Sequence, residues 1–215
     1  MIAASEALER LKAGNARFTA HLRSADEFVS HTRRPALKMV QEPFAIILGC
    51  SDARVPAELV FDQGLGDLFV IRVAGNIVAP SLVGSVEFAA ERFRTRLVVV
   101  LGHSQCGAIE ATLEELQRPT ENQSRNLAAI VERVRPSVER LLGTDVARDP
   151  EALARQATRA NIRASVDHLR HGSEVLEQLI RNDGLRVVGA EYSIETGVVE
   201  FFDGEERRTS ARFSE

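Results

Sequence analysis

The 215-residue chain has only two cysteines, Cys50 and Cys106, a single tyrosine and no tryptophan. Two thiols allow at most one disulfide, which excludes a small secreted scaffold held together by cross-links. No apolar run approaches the roughly 18–20 residues that a membrane span needs. The N-terminal stretch carries Glu6, Glu9, Arg10 and Lys12 and has no apolar core, unlike a secretory leader. A cytoplasmic location is expected. Basic charge is not in excess, with 27 Lys and Arg against 31 Asp and Glu, so no nucleic-acid partner is expected. The arginines are interleaved with glutamates, as in Glu91-Arg92-Phe93-Arg94, and read as a solvated helix end. Internal repeats, low-complexity tracts and interdomain linkers are also missing. A single domain over 1–215 is therefore expected, with an N-terminal helical arm (1–40) and an α/β core (41–215).

What the chain does contain is an alternation of short apolar runs and helical patterns. The runs at 44–48, 68–73 and 97–101 are those of parallel strands covered on both faces. Helices are predicted over 4–20 with Ser5 as cap, near 35–40, over 82–93 with Ser81 as cap, and over 106–117. Further helices are predicted over 124–142 with a kink or break at Pro136, from 150 to about 170 capped by Asp149, and over 174–181 capped by Ser173. Strands at 185–193 and 198–202 flank Glu195-Thr196-Gly197, which reads as a hairpin turn. The predicted fold is α/β: a mainly parallel central sheet flanked by helices, with an antiparallel C-terminal edge strand. The N-terminal helices are expected to pack on a partner subunit.

The scarce thiols both follow apolar runs. Cys50 opens Cys50-Ser51-Asp52-Ala53-Arg54, and Cys106 lies in Gly102-His103-Ser104-Gln105-Cys106-Gly107. Two thiols and an imidazole at strand ends are the donor set of a zinc site with one position open. Ligands of parallel sheets gather at that end of the strands. Buried structural cysteines with a core histidine are the plain alternative, and a closed structural zinc with Asp52 as fourth ligand is another. Asp52 and Arg54 lie two apart, so in extended geometry they face one way and can pair. With Arg54 holding it, Asp52 can orient a water on the metal; released, it can take the fourth position itself. The remaining histidines, His21, His31, His168 and His171, are expected at the surface.

These strings, together with Asp62-Gln63-Gly64-Leu65-Gly66-Asp67-Leu68-Phe69-Val70-Ile71-Arg72 and Ala74-Gly75-Asn76, resemble the β-class carbonic anhydrases. The resemblance runs from about Gln41 to the final hairpin. It departs at Ala53, where the family has serine. It implies one Zn²⁺ per subunit, held by Cys50, His103 and Cys106 with water or Asp52 fourth. It also implies reversible hydration of CO₂ to bicarbonate and a proton by attack of zinc-bound hydroxide, with an Asp52–Arg54 dyad orienting the hydroxide. The family's substrate pocket maps onto Gln41, Phe69, Ala74, Phe88 and the Gly107 amide. Gln41 and Phe69 would come from the subunit opposite the metal, so a homo-oligomer built from dimers is implied. Members of the family with a regulatory bicarbonate pocket carry tryptophan three residues before the first cysteine. Ile47 stands there, which points to the form with Asp52 off the metal.

Two other functions compete. The same fold and metal could serve a hydrolase of a CO₂ analogue, carbon disulfide or carbonyl sulfide. A non-catalytic, zinc-stabilised bicarbonate-binding module is the alternative outside enzymology. A zinc dehydrogenase is disfavoured, because no Gly-x-Gly-x-x-Gly follows a strand.

Overall fold

The computed structural model describes residues 2–22, 37–38, 41–119 and 124–202. The strands are β1 (Ala45–Cys50), β2 (Leu68–Val73), β3 (Leu97–His103), β4 (Arg186–Tyr192) and β5 (Val199–Phe202). The helices are α1 (Ala4–Thr19), α2 (Ala57–Val60), α3 (Pro80–Arg92), α4 (Gly107–Gln117), α5 (Arg125–Val138), α6 (Pro150–His171) and α7 (Glu174–Asn182). One sheet holds the strands in the order β2-β1-β3-β4-β5, parallel except for the β4–β5 pair. This is the fold class expected from the sequence, down to the antiparallel edge strand. Gly197 sits in the last turn with φ 75°, a left-handed conformation that glycine adopts without strain.

Every residue of β1 and β3 is buried, which explains their unbroken apolar character. Successive side chains serve opposite layers. Ala45, Ile47, Leu97 and Val99 pack with α1 and Phe61 on one face of the sheet. Ile46, Leu48, Val98 and Val100 pack with α3, α6 and α7 on the other. A third cluster caps the carboxyl ends of the strands and gathers Cys50, Cys106, Ile77, Ile109, Val134 and Leu153. The chain leaves β1 toward β2 on one side and resumes at β3 on the other. That reversal opens a crevice between the ends of β1 and β3, the usual ligand position of such sheets.

The N-terminal helix α1 seats on its own chain, with Ala4, Ala7 and Leu11 buried. Asn15 fixes it there. Its Nδ2 donates to the Val60 carbonyl (3.1 Å) and the Gly197 carbonyl (2.9 Å), and its Oδ1 accepts from the Val199 amide (2.8 Å). Ser5 is not the cap of α1, because the helix begins one residue earlier behind Ala3. Ser81 is not the cap of α3, because Pro80 opens that helix and Ala79 precedes it. Pro136 does not break α5 at its own position; the helix runs to Val138 and then tightens into a 3₁₀ turn over Glu139–Gly143. Asp149 and Ser173 cap as expected, Asp149 accepting from the Glu151 and Ala152 amides and Ser173 from that of Leu176. The helix anticipated near 35–40 lies outside the described residues apart from 37–38. Among the described residues, no helix is long and apolar enough to cross a membrane.

Candidate metal centre

The ends of β1 and β3 bring Cys50, His103 and Cys106 together. All three are buried, and their ligand atoms lie within 4.8 Å of one another. The two sulfurs stand 4.0 Å apart. Two thiolates at bonding distance on one tetrahedral ion would stand roughly 3.8 Å apart, so the spacing fits a shared ion. His103 is fully buried, and its Nδ1 lies 2.8 Å from the Ser104 carbonyl, which accepts the Nδ1 proton. That bond leaves Nε2 as the lone-pair nitrogen. Nε2 is buried without a hydrogen-bond partner, which fits the nitrogen to a metal. The Cys50 thiol is pulled below the ordinary thiol range, first by the hydrogen bond from Cys106, against burial, and with help from His103 and the Gly75 amide. The same shared proton, together with burial, pushes the Cys106 thiol up. Cys106 also occupies the N-cap position of α4 without a side-chain capping bond, at the end where the helix dipole favours a negative charge.

Asp52 and Arg54 do meet, though through a turn and not along an extended strand. The Arg54 guanidinium grips the carboxylate with Nε on Oδ1 (2.9 Å) and Nη2 on Oδ2 (2.7 Å). The Arg54 amide adds a third bond to Oδ1 at 2.9 Å, closing the turn. These bonds hold the Asp52 carboxyl well below the usual carboxylate range, so it is ionised at neutral pH. Asp52 Oδ2 lies 3.9 Å from His103 Nε2, close enough for a side-chain rotation to bring it into the cluster.

Two neighbours escaped the sequence reading. Arg72 donates Nε to the Cys50 carbonyl (2.9 Å) and Nη2 to the Asp52 carbonyl (2.6 Å), fixing the backbone between ligand and dyad. Its only signal in the sequence is a charge inside the apolar run of β2. The Gln105 carbonyl accepts from Arg54 Nη2 at 3.0 Å, tying the dyad to the loop that carries Cys106. Gln105 holds a left-handed φ of 55°, which nothing in its side-chain type signals.

The residues mapped to a substrate pocket fall into two groups. Ala74 and Gly107 flank the cluster, Ala74 beside Gly75 and Gly107 as the first residue of α4. Phe69 is level with Ile46, at the opposite end of the sheet from Cys50. Its ring lies 6.2 Å from that of Phe88 and 5.9 Å from that of Phe93, and Phe88 is 52% exposed. Gln41 is exposed and precedes β1. Gln41, Phe69 and Phe88 are thus separated from the cysteines of their own chain by the length of the strands.

The chain matches the family model described as carbonic anhydrase over residues 45–199. It is 38% identical over 192 residues to carbonic anhydrase 2 of Mycobacterium tuberculosis, covering 89% of each chain. Its fold resembles that of the β-carbonic anhydrase CafA of Aspergillus fumigatus, with a TM-score of 0.71 at 26% identity, over 94% of this chain and 91% of the other. It also resembles the tetrameric β-carbonic anhydrases of Sordaria macrospora, with a TM-score of 0.73 at 22% identity, over 94% and 98% of the chains. On the match over most of its length and the fold it shares with these enzymes, the chain belongs to the β-carbonic anhydrase family.

Proposed function

We propose that the protein catalyses the zinc-dependent, reversible hydration of CO₂ to bicarbonate and a proton. The observation that carries this reading is the buried Cys50–His103–Cys106 cluster with a doubly hydrogen-bonded Asp52–Arg54 pair at its edge. A zinc ion bound there supplies Lewis acidity, which makes a nucleophile of water near neutral pH. The two sulfurs and His103 Nε2 hold the ion. The Ser104 carbonyl keeps the Nδ1 proton, so the ring presents the right nitrogen. Asp52 stays ionised and accepts a hydrogen bond from the attacking water, which aims the oxygen lone pair at the CO₂ carbon. Arg54 prevents Asp52 from turning onto the metal. Paired with Arg54, Asp52 would leave the fourth position of a bound zinc to water, in keeping with Ile47 at the position that carries tryptophan in the bicarbonate-regulated members. The product proton leaves to solvent or buffer.

Ala74 and the Gly107 amide line the near wall of the substrate pocket. Gln41, Phe69 and Phe88 complete it from a second copy of the chain, whose sheet presents the opposite end. The functional unit is then a dimer, and larger assemblies are built from it; the fold relatives from Sordaria macrospora are tetrameric. Stopped-flow CO₂ hydration on the zinc-loaded protein tests the reading. Asp52→Asn is expected to keep zinc and lose about 10–100-fold in activity, whereas Cys106→Ala loses the metal. Zinc-loaded wild-type protein without activity between pH values of roughly 6.5 and 9, the span of plausible zinc-water pKa values, refutes it.

A further inference from the structure

Helix α6 supplies no member of the cysteine–histidine cluster, yet it touches the backbone beside two of them. Asn161, only 2% exposed, donates Nδ2 to the Gly75 carbonyl at 2.8 Å. One helical turn on, buried Ser165 donates to the Asn76 carbonyl at 3.1 Å. Both acceptors belong to the turn Ala74–Asn76, where Gly75 and Asn76 hold left-handed φ values of 72° and 42°. Two such residues in succession, one of them not glycine, persist only where the surroundings impose them. Gly75 in turn aims its own amide at Cys50 Sγ, 3.4 Å away. Gly75 is thus held at both ends, by Asn161 on its carbonyl and by the Cys50 sulfur on its amide.

The depth of α6 over the sheet is also fixed. Ile162, between the two polar residues, is fully buried and lies over Gly102, the residue before His103. A β-carbon at Gly102 would come within 2.5 Å of Ile162 Cδ1. The helix therefore cannot come closer to the strand that carries His103. Asn161 reaches Gly75 from a helix seated directly on that strand.

We infer that Asn161 is a positioning residue of the metal centre: by holding Gly75 it directs an N–H···S hydrogen bond onto Cys50 and so sets the strength of the Cys50–metal bond. The inference rests on the zinc reading above. An amide hydrogen bond draws electron density from a thiolate sulfur and fixes its direction. Without it the sulfur is more electron-rich, which lowers the charge-transfer energy, and it is no longer held in place, a loss of preorganisation that outweighs the gain in donor strength and weakens binding.

The test compares wild type with Asn161→Leu, which keeps the branching at Cγ but has no donor. Asp149→Ala serves as a control; it removes the cap of the same helix without touching the turn. Zinc affinity is measured by competition with a chromophoric chelator. The cobalt(II)-substituted proteins report the sulfur-to-cobalt charge-transfer band. Asn161→Leu is expected to bind zinc about tenfold or more weakly. Its band should move to lower energy, while Asp149→Ala keeps the wild-type affinity and band. Wild-type affinity and band in Asn161→Leu overturn the inference, and so does an equal change in Asp149→Ala. If Asn161→Leu does not fold, the wild-type protein loaded with ¹¹³Cd decides. Scalar coupling between the Gly75 amide proton and cadmium is expected through the hydrogen bond, and its absence overturns the inference. A wild-type protein that binds neither zinc nor cobalt overturns the metal reading itself, and the wild-type titration alone distinguishes that failure.

Discussion

Gly102→Ala perturbs the platform beneath the metal centre by one methyl group. The new carbon would lie 2.5 Å from Ile162 Cδ1 and 2.6 Å from Cγ1, well inside contact distance. Neither atom can retreat easily, because Ile162 is fully buried between α6 and the sheet, and its other branch is seated so closely over Gly189 that a β-carbon there would lie 3.0 Å from Cγ2. Overpacking of this kind costs about 1–3 kcal/mol. Alanine in place of glycine returns about 0.4–1 kcal/mol by restricting the unfolded chain, since Gly102 is in a strand and needs no left-handed φ. The net expectation is a loss of roughly 0.5–2 kcal/mol. Ile162→Ala alone opens a cavity and should cost about 2–5 kcal/mol. In the double variant the added methyl enters the emptied space. The combined loss should then fall short of the sum by about 1–3 kcal/mol. Urea unfolding followed by circular dichroism measures all four proteins, at one protein and one zinc concentration because binding and assembly shift the midpoint. Effects that add to within about 0.5 kcal/mol would show that Ile162 does not press on Gly102, and the rigid seating of α6 would be wrong.

Two further outcomes follow from the packing. Asn15→Ala leaves two carbonyls and an amide without their buried partner and should cost about 2–4 kcal/mol in the same unfolding assay, whereas Lys12→Ala, on the exposed side of α1, should change stability by less than about 1 kcal/mol. Equal effects of the two would mean that α1 does not rely on Asn15 to stay on its own chain. Tyr192 is the sole tyrosine and is buried, and burial raises its pKa above the ordinary phenol value. The folded state thus prefers the neutral phenol more than the unfolded chain does. That contribution to stability is complete below a pH of about 10 and is lost as pH rises toward the folded-state value. In an alkaline titration the tyrosinate absorbance band should rise only above the ordinary phenol range and together with the loss of circular dichroism. A rise at the ordinary value in the folded protein contradicts the assignment.

The layers of this protein are legible in its sequence because β1 and β3 are covered on both faces, so their apolar runs have no polar interruption to confuse the period. Two caps are legible for a similar reason. Asp149 directly precedes a proline at the first helical position, and Ser173 precedes an acidic first turn. Ser81 misleads because Pro80, one residue earlier, already fixes the helical φ. The cysteine–histidine cluster is legible because thiols are scarce and both follow strands. Asn161, Ser165 and Arg72 are not legible. Their partners are backbone carbonyls, which every residue type presents, and they lie 86, 89 and about 20 residues away in sequence. A side chain that recognises a carbonyl leaves no complementary residue to be noticed.

This difference bears on how Asp52 could move. Arg54 bonds the Asp52 carboxylate and the Gln105 carbonyl with one guanidinium, while Arg72 bonds the Cys50 and Asp52 carbonyls with another. The loops after β1 and β3 are therefore joined through side chains that meet backbone. Rotating Asp52 onto a bound zinc, as the proposed mechanism allows, would break its bidentate bond and remove the partner that aligns Arg54 with Gln105, a residue already in a strained φ. Arg72 still anchors the Asp52 main chain, so the motion is confined to the side chain. The proposed dyad would then act as a local switch whose resting position depends on the loop holding Cys106, and the arginine that would set it is read from a contact that spans 51 residues of sequence.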